Sequence, residues 1–219
     1  MPQRDQFFQD MAGENRMAAL LVAQVGAAPN ELQLITQVAE LDEEAGGLRP
    51  VRTYIIRVLG ALEHRVMDLG MTVGEAKLTG EHPLLYEYTE KPTAVFFRGK
   101  PDNVDSLALD IAQAHATTFQ GWRHFPQYLN VDQPLATLLA SGGGLLGQMP
   151  EPLANRLLPV LKHHGLEHKI TQDTAYVDVH DNPGLLQSEL NVLLIGESYF
   201  VSYAFSFDEM RGRTTKPDA

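Results

Sequence analysis

The sequence predicts an α+β protein: mainly antiparallel sheet covered by helices, in two sequential α+β units. Three observations carry that expectation. Between residues 31 and 98 the apolar side chains recur toward every second position, and the connections punctuated by Gly60, Gly70, Gly80 and Pro92 are short. Short connections suit an antiparallel meander rather than crossover units. Apolar residues recur at three- and four-residue steps over 3–25, 104–118 and 151–164, the spacing of helices with one buried face. Two hairpin patterns then close the chain, turning at Asp173-Thr174 and at Gly196-Glu197.

Taken in order, residues 3–25 read as a helix with Phe7, Phe8, Met11, Met17, Leu20 and Leu21 along one stripe, ended by Gly26 and Pro29. Leu32, Leu34, Thr36 and Val38 alternate with glutamines and suggest a strand, although Leu34, Val38 and Leu41 also fit a helical face. Residues 51–59, rich in branched and aromatic side chains, read as a strand. Further strands are expected at 62–69, 82–88 and 93–98. A helix follows over 104–118, with Asp102, Asn103 or Asp105 as its cap and Leu107, Ile111 and Ala114 as its apolar stripe. Asp132 is expected to cap a short helix at 135–140.

Residues 141–152 combine four glycines with two prolines and read as a connector between units. The units are then 1–140 and 153–210, with a flexible tail at 211–219. Beyond the connector a helix at about 151–164 contains Pro159. In the first closing hairpin, 167–172 against 175–180, Lys169 lies opposite Asp178 and Glu167 opposite His180. In the second, Tyr199, Val201, Tyr203, Phe205 and Phe207 alternate with Ser198, Phe200, Ser202, Ala204 and Ser206. The aromatic face is expected in the core, leaving a small-residue face for a helix or a second subunit.

Composition narrows the function classes. The chain of 219 residues is 44% apolar and 21% charged, with a formal net charge of −11 and no cysteine. Thiolate metal sites, disulfides and cysteine nucleophiles are removed together, and a reducing compartment fits. An acidic surface repels polyanions, so no nucleic-acid partner is expected. Arg49, Arg52, Arg57 and Arg65, and the tail with Arg211, Arg213 and Lys216, lack the interleaved aromatics of a single-strand binder. The apolar run at 17–25 is too short to span a bilayer and follows charged residues, so neither a signal nor a membrane is expected, and the location expected is cytoplasmic.

Several motifs invite chemistry. Gly142, Gly144 and Gly147 spell GxGxxG, but a helical segment precedes them and prolines follow, so no nucleotide cofactor is expected. Gly196-Glu197-Ser198 lacks the second glycine of a nucleophile elbow and reads as a turn. His163, His164 and His168 are the densest histidines; a metal there would draw on His163, His164, Asp173 and Asp178. Asp178, His180 and Asp181 resemble an acid–base group already satisfied across the hairpin. In Glu63-His64 and Glu81-His82 the neighbours point to opposite strand faces.

The most loaded stretch is 115–130, HATTFQGWRHFPQYLN. His115, Trp122, Arg123, His124 and Tyr128 are the candidate ligand-binding residues, because aromatics and arginine on a loop combine large contact area with polar ends. The competing structural reading makes Trp122 and Phe125 plugs in a joint between the two units. Without a complete catalytic constellation, the expected function is a non-catalytic, cytosolic, chaperone-like binding or adaptor module. It works without a cofactor, and its partner is a protein, a peptide or a second copy of itself. The alternative is a hydrolase using histidine and acidic groups, with or without a divalent metal, at converging His115, His124 or 163–168 side chains.

Overall fold

Helix α1 (Gln3–Met11) ends before Gly13 in the computed structural model, which describes residues 3–44, 46–67, 69–172 and 190–210. The expected helix over 3–25 is therefore corrected. Asn15 adopts a left-handed φ of 57°, and the chain reverses into strand β1 (Arg16–Val25). Ala18 and Leu20 are buried while Leu21 is exposed. The run has the period of a strand, and a bulge between Leu20 and Val22 disguises it.

The protein is mixed α/β and sheet-dominated. Its described strands pair antiparallel in two sheets. The larger sheet has the order β4-β1-β2-β3-β10-β9-β5. It uses β2 (Glu31–Asp42), β3 (Gly47–Arg65), β4 (Thr72–Val73), β5 (Ala76–Thr79), β9 (Asn191–Ile195) and β10 (Ser198–Glu209). Its edges, β4 and β5, are two and four residues long, which leaves little unpaired backbone for another chain to extend. The separate strand expected at 62–69 is not formed. Strand β3 instead runs through Gly60, at φ 69°, as far as Arg65.

The core of this sheet gathers Leu34, Val38, Tyr54, Ile56, Val58, Leu193 and Phe200 beneath Phe7 and Met11 of α1. Phe7 meets Tyr54 edge-on at 5.1 Å and Phe207 at 5.4 Å. The expected aromatic face of β10 is only partly right. Phe200 is fully buried in the core with Phe207, whereas Tyr203 is half-buried. The ladder to β3 shifts register between Val201 and Ser202, and a strand interrupted there does not carry one alternation from end to end.

The smaller sheet has the order β7-β6-β8, with β6 (Pro92–Arg98) in the centre, β7 (Gly143–Pro150) and β8 (Glu167–Gln172). Its core combines Val95 and Phe97 of β6 and Leu146 and Met149 of β7 with residues of α3 (Val104–Phe119), α4 (Leu135–Ala140) and α5 (Glu151–His163). Asn103 caps α3, its side chain accepting from the Ser106 N–H at 3.0 Å. Asp132 does not cap α4: the N-cap position is Pro134, with no side-chain hydrogen bond.

Two further corrections concern connections. The expected connector at 141–152 is strand β7, paired with β6 from Pro92↔Pro150 to Arg98↔Gly143. Its glycines serve close packing rather than looseness. A side chain at Gly147 would collide with the Tyr128 carbonyl, and one at Gly143 would press on the Phe97 carbonyl at 3.1 Å. The strand expected at 82–88 is a 3-10 turn (Pro83–Leu85) running into helix α2 (Tyr86–Thr89). His82 caps the turn by accepting from the Leu84 N–H at 3.3 Å, and Pro83 supplies the preset φ of a first helical position.

The described residues up to Gly80 and from Leu190 onward form one compact unit, and those from Glu81 to Gln172 form the other. This division differs from the one expected at 140 and 153. The partner strand at 175–180, the group of Asp178, His180 and Asp181, and the tail at 211–219 lie outside the described residues. No helix among the described residues is long and apolar enough to cross a membrane.

Candidate functional site

Helix α3 ends at Gln120, in the left-handed conformation, and Gly121 at φ 86° turns the chain sharply away. The Trp122 N–H bonds back to the Phe119 carbonyl at 2.9 Å, so the segment leaves the helix in a tight turn. It then runs onto β7. Leu129 bridges to Gly147, and the Asn130 N–H donates to the Leu146 carbonyl at 2.8 Å. Two fixed ends hold the intervening side chains in place.

The five expected ligand residues are separated by this geometry. Arg123 is buried and points its guanidinium at the 83–89 turn, donating to the Leu84 carbonyl at 3.2 Å and lying 3.4 Å from Glu87 Oε2. Tyr128 Oη donates to the same Glu87 oxygen at 3.1 Å. Trp122 is half-buried and meets the His82 ring edge-on at 5.2 Å. His124 is exposed. His115 is buried among Phe119, Phe125 and Tyr128, and its Nε2 has no hydrogen-bond partner among the described residues. Burial pushes its pKa below the usual histidine value, which keeps the ring neutral.

The expected role of Trp122 and Phe125 as core plugs is corrected as well. Phe125 is 41% exposed, and the residues of this stretch that enter the core are Phe119, Tyr128 and Leu129. Phe119 and Tyr128 stack with centroids 5.1 Å apart, which anchors the tyrosine ring while its hydroxyl reaches Glu87.

A cavity of about 220 Å³ opens beside this anchor, lined by Tyr86, Glu87, Glu90, Pro92, Tyr128, Gln148, Met149 and Pro150. Its lining alternates apolar rings and chains with a few polar ends, the usual chemistry of a small-ligand site. Of the five expected residues only Tyr128 lines it. Arg123 stands behind it and orients Glu87. Tyr86, Glu87, Glu90 and Gln148 were missed by sequence reasoning because 82–88 reads as a strand and 141–152 as a linker. The Pro83 that follows a capping side chain was the available signal for a helical turn there.

The described histidines do not converge. His164 Nε2 lies 2.7 Å from Asp110 Oδ2, tying α5 to α3, and His163 stands edge-on to it with centroids 5.3 Å apart. His168 sits on β8 opposite Phe97 and is exposed. Asp173 and Asp178, the other expected metal donors, lie outside the described residues. Among the described residues no group of three or more His, Asp or Glu side chains is placed to hold a metal.

A second polar cluster was not foreseen. Asp10 of α1 is buried and receives Tyr54 Oη at 2.6 Å, Arg52 at 2.7 Å and Gln6 at 3.0 Å. Burial alone would raise the Asp10 pKa. The hydrogen bonds from Tyr54, Arg52 and Gln6 outweigh it and hold the carboxyl below its ordinary value. Burial and the adjacent carboxylate push the Tyr54 phenol well above its ordinary value. The Asp10 carboxylate is satisfied from within the fold, so the cluster fastens α1 to β3.

Comparison of the chain with protein-family models, with curated proteins and with solved structures gives no match.

Proposed function

We propose that the chain is a non-catalytic binding module whose site is the cavity between Tyr86 and Tyr128. The observation that carries this reading is the pair of donors on Glu87 Oε2. Tyr128 at 3.1 Å and Arg123 at 3.4 Å fix one wall of an otherwise open cavity before any ligand arrives. Preformed walls reduce the ordering cost of binding. The cavity volume, about 220 Å³, lies below the range typical of drug-sized ligands, so the ligand is small or is a single projecting side chain.

The reading is preferred to a histidine-dependent hydrolase because His115, His124 and His164 occupy separate surroundings, with no histidine lining the cavity among the described residues. A protein or peptide partner, self-association and a cytoplasmic location belong to the same proposal; the acidic, cysteine-free composition supports the last.

Native mass spectrometry of the purified protein tests the binding reading. One small ligand per chain is expected to be retained, and to be lost from a Gln148→Trp variant. Position 148 is exposed on a strand that accommodates an aromatic, so the indole closes the cavity without entering the core. Retention of the ligand by the folded variant would place the site elsewhere.

A further inference from the structure

We infer that the cavity selects a small organic cation of the alkylammonium class, with Glu90 as its charge partner; this rests on the binding reading of the same cavity.

The two carboxylates in the wall are not equivalent. Glu87 already faces the Arg123 guanidinium and accepts the Tyr128 hydroxyl, so its charge is compensated within the fold. Glu90 also lines the cavity, is half-buried, and has no ion-pair or hydrogen-bond partner for its carboxylate among the described residues. One uncompensated negative charge therefore stands in a partly apolar recess, where charge is worth more than at a free surface.

The rest of the lining points the same way. Tyr86 and Tyr128 present aromatic rings, whose negative faces attract cations. Met149 adds a polarizable thioether. Pro92 and Pro150 stand opposite each other in the β6–β7 ladder, and proline has no backbone N–H. Neither of these two residues can offer an amide donor to an anion. Side-chain donors in the lining are confined to the tyrosine hydroxyls and the Gln148 amide, and the Tyr128 hydroxyl is engaged with Glu87. An ammonium brings three donors and a positive charge, and a short alkyl stem fits between the rings and Met149.

The probes are n-butylammonium, 1-butanol as a neutral counterpart of similar length, and butyrate as the anion. Binding is read by NMR on protein carrying ¹³C in its methionine methyl groups, with the Met149 signal assigned from a Met149→Leu variant. In low salt, n-butylammonium is expected to shift the Met149 methyl and to bind about tenfold more tightly than 1-butanol, the scale of one charged hydrogen bond. Butyrate is expected to leave it unmoved. Glu90→Gln, a nearly isosteric change at an unpaired group, should keep the spectrum of the folded protein and abolish the preference.

Equal shifts from n-butylammonium and 1-butanol, or a shift from butyrate, would overturn the charge selectivity while leaving the cavity a binding site. No shift from any probe would overturn both. A preference that survives Glu90→Gln would overturn the assignment to Glu90. A final arm compares n-butylammonium with an acetylated, amidated Gly-Gly-Lys-Gly-Gly peptide. Both satisfy the chemistry; tighter binding of the peptide assigns the cation to a lysine side chain of a partner, and equal or weaker binding assigns it to a free amine.

Discussion

Tyr128 Oη donates to Glu87 Oε2 at 3.1 Å, although 41 residues separate the two in sequence. The bond links the loop that leaves α3 to the short helix α2. Arg123 reinforces it from behind, with a side chain only 5% exposed against 41% for Glu87. The burial is one-sided, and that decides what removing either partner costs.

Glu87→Gln keeps the shape of the side chain but removes the carboxylate charge beside the buried Arg123 guanidinium. Breaking a fully buried ion pair costs about 3–5 kcal/mol; the exposure of Glu87 lets solvent compensate part of it, so we expect about 1–2 kcal/mol. Glu90→Gln should stay within about 0.5 kcal/mol, as for a surface change without a partner. Urea denaturation of the two variants measures the contrast, and equal losses would contradict the asymmetry between the two carboxylates.

Gly147→Ala tests the glycine-rich strand. Its new methyl would collide with the Tyr128 carbonyl and approach the Leu129 Cα at 2.9 Å, both backbone atoms. The 128–130 segment must lift from β7, so a destabilisation of about 2 kcal/mol or more is expected, together with a shift of the Tyr128 ring resonances. Gly46→Ala replaces a glycine of positive φ with nothing within 4 Å of it, so it lacks the clash and should cost about 1 kcal/mol. A mild effect at Gly147 would mean that the bridge to Leu129 is dispensable.

The Asp10 cluster predicts how the sheet carrying α1 responds to pH. A carboxyl whose pKa is lowered in the folded state contributes stability above its unfolded value, near 3.8, and loses it as the pH falls through the folded value. A phenol whose pKa is raised contributes fully below its unfolded value, near 10, and loses its contribution as the pH rises beyond it. Tyr54→Phe should therefore flatten the alkaline limb and weaken the acid one. Near neutral pH it should cost about 1–3 kcal/mol, through the donor lost to a buried carboxylate. Thermal unfolding followed across pH 2–11 reads all three effects; an unchanged alkaline limb would detach Tyr54 from Asp10.

His115 predicts a separate acid effect. Its folded pKa is depressed, so the unfolded chain takes up a proton first as the pH falls below about 6.5. Stability attached to the neutral ring is present above that value and is lost progressively below it. His115→Phe should reduce the slope of stability against pH between about 6.5 and 5, whatever its effect at pH 8. An identical slope in the variant would mean that the buried ring is not the group titrating there.

Much of the framework was legible because it is local. The alternation in Leu32, Leu34, Thr36 and Val38 marked β2, and Asn103 with Leu107, Ile111 and Ala114 marked α3 and its cap. The turn at Gly196-Glu197 likewise announced the β9–β10 hairpin. Misreadings arose where a regular pattern was interrupted. The bulge at Leu21 turned a strand into an apparent helix, and the shift at Val201/Ser202 broke the alternation that should have sorted the faces of β10. At Gly143 and Gly147, glycine was taken for flexibility where it meets the demand of a close backbone neighbour.

The site was legible only as a neighbourhood. Sequence alone determined the acidic, cysteine-free composition, the helices α3 to α5, strands such as β2, β6 and β8, and the chemical richness of 115–130. It could not determine that Arg123 turns inward while His124 faces out, or that Tyr128 meets Glu87. Those outcomes depend on the path of the chain after Gly121 and on the bridge from Leu129 to Gly147. Patterning is set by each residue's own tendency to leave water, and that is written position by position. A cavity is the space left between segments distant in sequence, so only the tertiary structure decided which side chains would share it.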